Sequence, residues 1–189
     1  VPGKFRETSV VVGNVYRGAP AEDCEYLVDR LCAWLNEPGF QAPNPSLEVP
    51  FAVIRAVLAH VYLAWIHPFG DGNGRTARLL EFHILFSSGI PLPASHLLSD
   101  HYNKTRANYY RQLDRASKSG GKLMPFLNYA VEGLLDGLRD QIQQVKEHQM
   151  SVAWENYVHS EFRQKKPSPA QKRRRDLALE LSSHGWVNS

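Results

Sequence analysis

Cysteine is scarce in this chain of 189 residues, which contains only Cys24 and Cys32. The two thiols are eight positions apart, with no Cys-x-x-Cys pair and no histidine beside them. This spacing does not indicate a disulfide framework or a cysteine-based metal site. We therefore expect buried thiols in a reducing compartment, and the predicted location is the cytoplasm.

Long apolar runs and targeting signals are also missing. No stretch approaches the roughly 20 apolar residues that a membrane span requires, and the start lacks the apolar core of a signal peptide. We expect no membrane partner. The first residue is Val1 rather than methionine, which indicates a fragment or a processed start. Hydrophobic residues make up 43% of the chain and aromatic residues 11%, enough for one main domain with a small second piece.

Charge is unevenly distributed along the chain. Between Arg163 and Arg175 there are seven basic residues and no acidic ones, so the remainder carries about −4 of the net charge of +3. Pro167 and Pro169 within this run indicate a solvated linker that leads into a helix over 170–181. Either a solvated charged helix or a nucleic-acid contact would explain the run.

A dense polar stretch at 67–78 lies between two predicted helices. Apolar residues at three- and four-residue intervals follow Pro50 and predict a helix that ends at His67-Pro68. A second helical period begins near Arg75 and ends at Ser88-Gly89. We predict that 67–78 is a loop that joins these helices, with Phe69 turned inward as its anchor.

The composition of this loop favours a phosphate site. Glycines at 70, 72 and 74 would allow positive φ and direct N–H groups into one concavity, at the positive end of the second helix. Arg75 and Arg78 are three residues apart, so both could bind further phosphate oxygens. A Gly-rich loop alone is usually a simple turn, but the added arginines make the spacing far more demanding.

Asp71 and His67 add chemistry to the phosphate site. A carboxylate that faces phosphate is best explained by Mg²⁺, which takes oxygen ligands from one or two carboxylates and from substrate phosphates. A calcium loop is disfavoured because Arg75 occupies a ligand position and no glutamate closes the loop. His67, with an ordinary pKa of about 6.5, suits a general base. His60, two turns earlier, is predicted to be a core histidine or to support the site indirectly.

The stretch from His67 to Arg78 resembles the signature of the Fic family, H-x-F-x-[DE]-G-N-[GK]-R-x-x-R, at every fixed position. The resemblance implies an all-α helical bundle with a short β-hairpin flap. It also implies transfer of a nucleotidyl group, most often AMP from ATP, to a protein hydroxyl. The target Ser, Thr or Tyr could belong to another protein or to the chain itself, and pyrophosphate would be released.

The resemblance assigns roles to individual residues. His67 would deprotonate the target hydroxyl, and Asp71 would hold Mg²⁺ between the phosphates. The remaining residues of the stretch would bind phosphate oxygens, and the two arginines among them would hold the leaving pyrophosphate. These residues are Gly70, Gly72, Asn73, Gly74, Arg75 and Arg78. Either Tyr109 or Tyr110, in a stretch over 97–113 that is predicted to form one or two helices, would stack on adenine.

The segment at about 37–49 lies just before the signature helix and by this position resembles the family's flap, which would hold a target segment by strand addition. The alternative is that 37–49 is a plain surface connection. The predicted domains are a catalytic core over 1–145 and a C-terminal part over 146–189. The second part would contain a helix, the basic linker and the start of a winged-helix module. A second copy of the chain is a further candidate partner, as a homodimer.

The segment Gly3-Lys4-Phe5-Arg6 resembles the sequence that follows the inhibitory helix in one Fic subclass. That helix carries the pattern [ST]-x-x-x-E-[GN], whose nearest match here is Glu132-Gly133, with Asn128 in place of Ser or Thr. The match is incomplete, so the inhibitory glutamate would come from upstream of Val1 or from a partner. A different class of function is a nucleic-acid-binding regulator with a non-catalytic, nucleotide-sensing Fic-like core; the intact His67 argues against it.

Overall fold

A computed structural model of the chain describes residues 3–12, 16–163 and 168–183. The fold is helical, as predicted. The helices are α1 (Cys24–Leu35), α2 (Glu48–Ile66), α3 (Asn73–Ser87), α4 (Leu92–Ser95), α5 (Leu97–Lys104), α6 (Arg106–Lys118), α7 (Met124–Arg163) and α8 (Pro169–Ser183).

Helix α2 lies at the centre of the fold and packs against α1 and α3. Its apolar residues occupy more than one face, which is why it is buried along most of its length. One cluster joins α1 to the ends of α2 and α3 that flank the signature loop. This cluster consists of Cys24, Leu31, Leu63, Ile66 and Ala77. The loop is therefore attached to the core at both ends.

Helix α2, together with the 3₁₀ turn before it, corrects one prediction. By length and composition, the stretch Pro45–Ile66 could cross a membrane, with a mean hydropathy of 1.8. This corrects the expectation that no stretch approaches that length. Half of it is buried inside the protein, where the central helix packs against its neighbours.

The hairpin is present, but not where the sequence placed it. Strand β1 (Val11–Val12) pairs antiparallel with β2 (Tyr16–Arg17), with Val11 opposite Arg17. Residues 37–49 instead contain two 3₁₀ helices, Pro38–Phe40 and Pro45–Leu47. Each begins with a proline, which fixes φ and lacks the N–H that a strand ladder needs. The hairpin is formed instead by the β-branched run near residue 10.

The thiols also differ from the prediction that both are buried. Cys24 is buried at the start of α1, whereas Cys32 is exposed. Eight residues of α-helix turn a side chain by about 80° relative to the first, which is enough to move Cys32 off the buried face.

The chain divides into two compact units, Val1–Gly137 and Leu138–Ser189. The first contains the hairpin, α1 to α6 and the first part of α7. Within the second, the indole N–H of Trp154 donates to the carbonyl of Ala178, 2.6 Å away, and Val158 is buried. The predicted division at 145/146 stays a prediction. The middle of the basic linker, 164–167, lies outside the described residues, and α8 contains the predicted helix over 170–181.

Candidate active site

The signature loop connects α2 to α3, as predicted, but its backbone differs from the expected row of left-handed glycines. Of the three, only Gly72 has positive φ, at +84°. Gly74 already lies in the first turn of α3, and its φ is therefore helical. The left-handed position at the other end of the loop is taken by His67, with φ 52° and ψ 54°.

His67 caps the carboxyl end of α2, where its N–H donates to the carbonyl of Leu63, 3.0 Å away. Its Nδ1 lies 3.3 Å from the carbonyl of Ala64. A carbonyl can only accept, so Nδ1 carries the proton and Nε2 keeps the lone pair that a general base needs. Burial lowers the pKa of His67 from 6.5, the Ala64 hydrogen bond opposes this, and the nearby charge of Arg6 adds to it.

A buried arginine that sequence reasoning missed lies behind this histidine. Arg6 is 7% exposed, and its Nε donates to the carbonyl of His67, 2.7 Å away. The backbone N–H of Arg6 donates to the carbonyl of Pro68 at 2.9 Å. The side chain of Phe5 stacks on Phe69, with ring centroids 5.8 Å apart, so Phe69 anchors the loop as predicted. The only sequence signal was the resemblance of 3–6 to a family segment.

Asn73 holds the middle of the loop with its side chain. Its Oδ1 accepts from the N–H of Phe69 at 2.9 Å, and its Nδ2 donates to the carbonyl of Phe69 at 2.7 Å. The residue is 3% exposed. Both polar atoms of the amide thus bond within the loop, and the backbone N–H of Asn73 is a further donor for a phosphate.

The amino end of α3 provides that backbone site. Gly72 is the cap residue, and the first hydrogen bond of the helix runs from the N–H of Thr76 to the carbonyl of Gly72, 2.9 Å away. Helix geometry therefore leaves the N–H groups of residues 73–75 without a partner one turn back. With the positive end of the helix dipole, these groups form an anion site. Gly70, also predicted to bind phosphate, is exposed in the loop just before it.

Asp71 and Arg75 form the exposed part of the loop. Arg75 Nη2 donates to Asp71 Oδ2 at 2.8 Å, and the side chains of Arg75 and Asp71 are 74% and 90% exposed. The N–H of Gly72 donates to Asp71 Oδ1. Among the described residues no cluster of three or more His, Cys, Asp or Glu could hold a metal. One accessible carboxylate fits Mg²⁺ only when phosphate oxygens complete the ligand set.

Arg78 is partly buried, whereas Arg75 is exposed. Arg78 lines a cavity of ≈160 Å³ together with residues of α5 and α6, namely Tyr102, Asn103, Arg106, Tyr109 and Tyr110. Both tyrosines predicted to contact adenine thus lie in the same cavity as the second arginine of the signature. Sequence reasoning missed Asn103 and Arg106, because these residues show no motif and only the packing of α5 against α6 brings them to Arg78.

The two predicted adenine contacts differ in their surroundings. Tyr109 is 4% exposed, its hydroxyl lies 2.9 Å from His60 Nε2, and burial raises its pKa. Tyr110 is 51% exposed, with the guanidinium of Arg106 5.7 Å from its ring centroid. Tyr110 therefore presents an accessible ring, whereas Tyr109 forms part of the cavity wall.

A polar network lies beneath that wall. His60 is fully buried, as predicted for a core histidine, and its Nδ1 is 3.3 Å from Glu81 Oε2. Glu81 Oε1 accepts from the hydroxyl of Tyr102 at 2.9 Å, and burial together with the charge of Glu81 raises the pKa of Tyr102. Paired in this way, the buried polar groups hold α2, α3 and α5 in register.

Glu132-Gly133, the nearest match to an inhibitory motif, has a structural explanation. Glu132 is exposed on α7, and Gly133 packs against the ring of His101 on α5 so closely that an added Cβ would collide with it. The glycine is therefore required for packing. The assignment to the subclass with an N-terminal inhibitory helix stays a prediction.

The helical bundle thus places a histidine at the end of α2, and it places open N–H groups and two arginines at the start of α3. Residues 1–85 match the Fic/DOC family. This match covers somewhat less than half of the chain and includes the whole signature stretch from His67 to Arg78.

Curated relatives extend this similarity beyond residue 85. "Protein adenylyltransferase fic-1" of Caenorhabditis briggsae is 40% identical over 133 residues, which are 69% of this chain and 22% of the relative. The Caenorhabditis elegans protein of the same name is 38% identical over the same shares. "Protein adenylyltransferase Fic" of Nematostella vectensis is 36% identical over 68% of this chain and 26% of the relative. The match thus spans only about a quarter of each of these proteins.

Proposed function

We propose that this chain is a Mg²⁺-dependent protein adenylyltransferase, which transfers AMP from ATP to a Ser, Thr or Tyr hydroxyl of a target protein or of itself. The observation that carries the proposal is the arrangement of one loop. His67, with its Nε2 lone pair, lies at one end, and an anion site lies at the other. The names of the curated relatives support the same reaction.

In the proposed reaction, the target hydroxyl oxygen attacks the α-phosphorus of ATP while His67 Nε2 accepts the hydroxyl proton. The new oxygen–phosphorus bond forms as the bond to the β-phosphate oxygen breaks, and pyrophosphate leaves. The protein contributes mainly position and charge stabilisation. A lowered pKa keeps His67 neutral, and able to accept a proton, at neutral pH.

The phosphates would be bound by the amino end of α3 and the signature arginines. Backbone N–H groups at 73–75 would donate to the α- and β-phosphate oxygens, with Gly70 and Gly72 shaping the approach. Arg75 and Arg78 would hold the leaving pyrophosphate. Asp71 would exchange its contact with Arg75 for Mg²⁺, which would neutralise charge on the phosphates.

The cavity beside Arg78 would take the adenine. The exposed ring of Tyr110 offers a stacking surface, and the buried Tyr109 gives the wall a fixed position through its contact with His60. This assignment explains why two tyrosines of α6 and the second arginine of the signature share one cavity.

The hairpin of β1 and β2 is the proposed docking site for the target. Each strand has two residues, and β1 and β2 pair only with each other among the described residues. Val11 on β1 is 64% exposed. A target segment could therefore extend this ladder by main-chain hydrogen bonds.

The basic C-terminal segment is proposed to contact nucleic acid. Lys172, Arg173 and Arg174 are exposed on consecutive positions of α8. Contacts to phosphates would be salt-dependent and independent of the transfer reaction. A filter-binding titration at two salt concentrations would test this role separately.

The test of the transferase proposal uses Mg²⁺, ATP labelled on the α-phosphate, and intact mass of the chain. Wild-type chain should gain one AMP unit. The His67→Ala variant should transfer about 10²- to 10⁴-fold more slowly, as expected for loss of a general base, and should still bind ATP. His83→Ala, which removes an exposed histidine of α3, is the matched control. Equal loss of ATP binding and transfer in His67→Ala would remove His67 from the role of base.

A further inference from the structure

The side chain of Arg6 donates hydrogen bonds to backbone carbonyls in three separate parts of the first unit. Its Nη1 donates to Thr8 at 2.8 Å, its Nη2 donates to Ala19, and its Nε donates to His67 at 2.7 Å. A longer contact of 3.4 Å runs from Nη2 to the carbonyl of Ile66. One planar guanidinium therefore connects the N-terminal segment, the residues after β2 and the carboxyl end of α2.

The energetics of this contact differ from those of an ordinary surface arginine. A buried charge is costly unless its donors are satisfied, and here the acceptors are carbonyls rather than a carboxylate. The last carbonyls of a helix have no partner within the helix and form the negative end of its dipole. A guanidinium at the end of α2 is therefore stabilised by charge as well as by hydrogen bonds.

The same contact restricts the backbone of His67. A non-glycine residue in the left-handed region is strained, so surrounding contacts must maintain it. Arg6 bonds the carbonyl of His67, and the backbone N–H of Arg6 bonds the next carbonyl, that of Pro68. Both carbonyls that follow the left-handed turn are thus fixed by one residue.

The hairpin contacts the same junction from the other side. A Cβ added at Gly18, the residue after β2, would lie 3.1 Å from the Cβ of His67 and 3.1 Å from Nη2 of Arg6. The backbone N–H of Gly18 donates to the carbonyl of Val10 at 3.2 Å, just before β1. The base of the hairpin therefore lies directly against His67 and Arg6.

We propose that Arg6 is a positioning residue for the transfer reaction, which holds the imidazole of His67 in place and connects it to the hairpin where the target docks. The inference rests on the proposed function. It adds a role for a residue outside the signature, and it makes the placement of the base sensitive to the position of the hairpin.

The test compares two substitutions that change this junction in different ways. Arg6→Lys keeps the positive charge but loses the planar fork, so it cannot bond all of these carbonyls. Gly18→Ala keeps Arg6 but introduces a methyl group at the junction. Lys4→Ala removes an exposed positive charge two residues away and is the matched control.

Three properties are measured on each folded variant: kcat and KM for ATP, the tautomer of the His67 imidazole by ¹⁵N NMR, and thermal unfolding. We expect kcat to fall by about 10- to 100-fold in Arg6→Lys and Gly18→Ala, because small displacements of a catalytic group have effects of that size. KM for ATP should stay near the wild-type value. His67 should lose its uniform Nδ1–H tautomer, and Lys4→Ala should match the wild type.

The outcomes separate this inference from a purely structural role. If Arg6 only stabilises the fold, the melting temperature falls while kcat per folded molecule and the His67 tautomer stay unchanged, which would overturn the inference. If the wild type itself transfers no AMP, the proposed function fails. The NMR readout still decides Arg6 in that case, since an unchanged tautomer in Arg6→Lys refutes the positioning role and a changed one supports it.

Discussion

The two ends of the signature loop are built in opposite ways. The end at His67 is bonded to Arg6 and Ala64 and lies close against Gly18. The end at Asp71 and Arg75 is exposed and is held by one ion pair and one local N–H contact. In the proposed reaction, the base would be fixed in position before substrate arrives, whereas a metal and phosphates would replace the contacts of the acidic end. Preorganisation would thus be concentrated where the proton moves.

The largest expected effect on stability comes from the residue that connects the two ends. Asn73→Ala would leave both backbone groups of Phe69 without partners and should lower the free energy of unfolding by about 2 to 4 kcal/mol. Asn36→Ala, which removes an exposed asparagine with one bond to the carbonyl of Cys32, is the control. Chemical denaturation measures both. A loss in Asn73→Ala no larger than in Asn36→Ala would show that the loop is not held by this side chain.

An intermediate effect is expected from pH. The folded pKa of His67 is lowered from 6.5, chiefly by burial. The unfolded chain therefore takes up the proton more readily, and this contribution to stability is present above pH 6.5 and is lost as pH falls through the folded pKa. The rate of transfer should likewise show an acidic limb with its midpoint below 6.5. His67→Gln, which does not titrate, should lack the stability change; an acidic midpoint above 6.5 would contradict the assignment.

The smallest effect on stability is expected at the exposed end. Asp71→Asn removes the pair with Arg75, and exposed pairs contribute about 0 to 1 kcal/mol, so unfolding should change little. The Mg²⁺ concentration for half-maximal transfer should rise by at least about tenfold, since even indirect partners of a metal affect affinity that much. If Asp71→Asn destabilised the fold as much as Asn73→Ala, the two ends would not differ in the way described.

The sequence predicted the parts of this site that a local pattern encodes. The helical periods on both sides of 67–78 predicted α2 and α3, and the order of residues in the loop is the basis for the proposed base and anion site, which stay predictions. The hairpin was predicted at the wrong residues because strands of two residues show almost no alternation of apolar and polar side chains. The prediction therefore relied on position relative to α2, which did not locate the hairpin. Arg6 was missed because its acceptors are backbone carbonyls. Every residue type has the same carbonyl, so no sequence pattern indicates which carbonyls an arginine will bind.

The cavity beside Arg78 shows a further limit of sequence reasoning. Tyr109 and Tyr110 could be proposed from composition, but Asn103 and Arg106 join them only because α5 and α6 meet at a short turn near Thr105. Contacts between such neighbouring helices depend on packing angle, which a sequence pattern does not specify.

The engaged side chain of Asn73 also affects the chemical lifetime of the protein. Asparagine followed by glycine is the dipeptide most prone to spontaneous deamidation, because the next backbone nitrogen can attack the side-chain amide to form a succinimide. Here Asn73-Gly74 opens a helix, and both atoms of the amide are bonded to Phe69. The folded loop therefore protects the side-chain amide of Asn73 from deamidation. Deamidation at this position should begin only in molecules that have first unfolded.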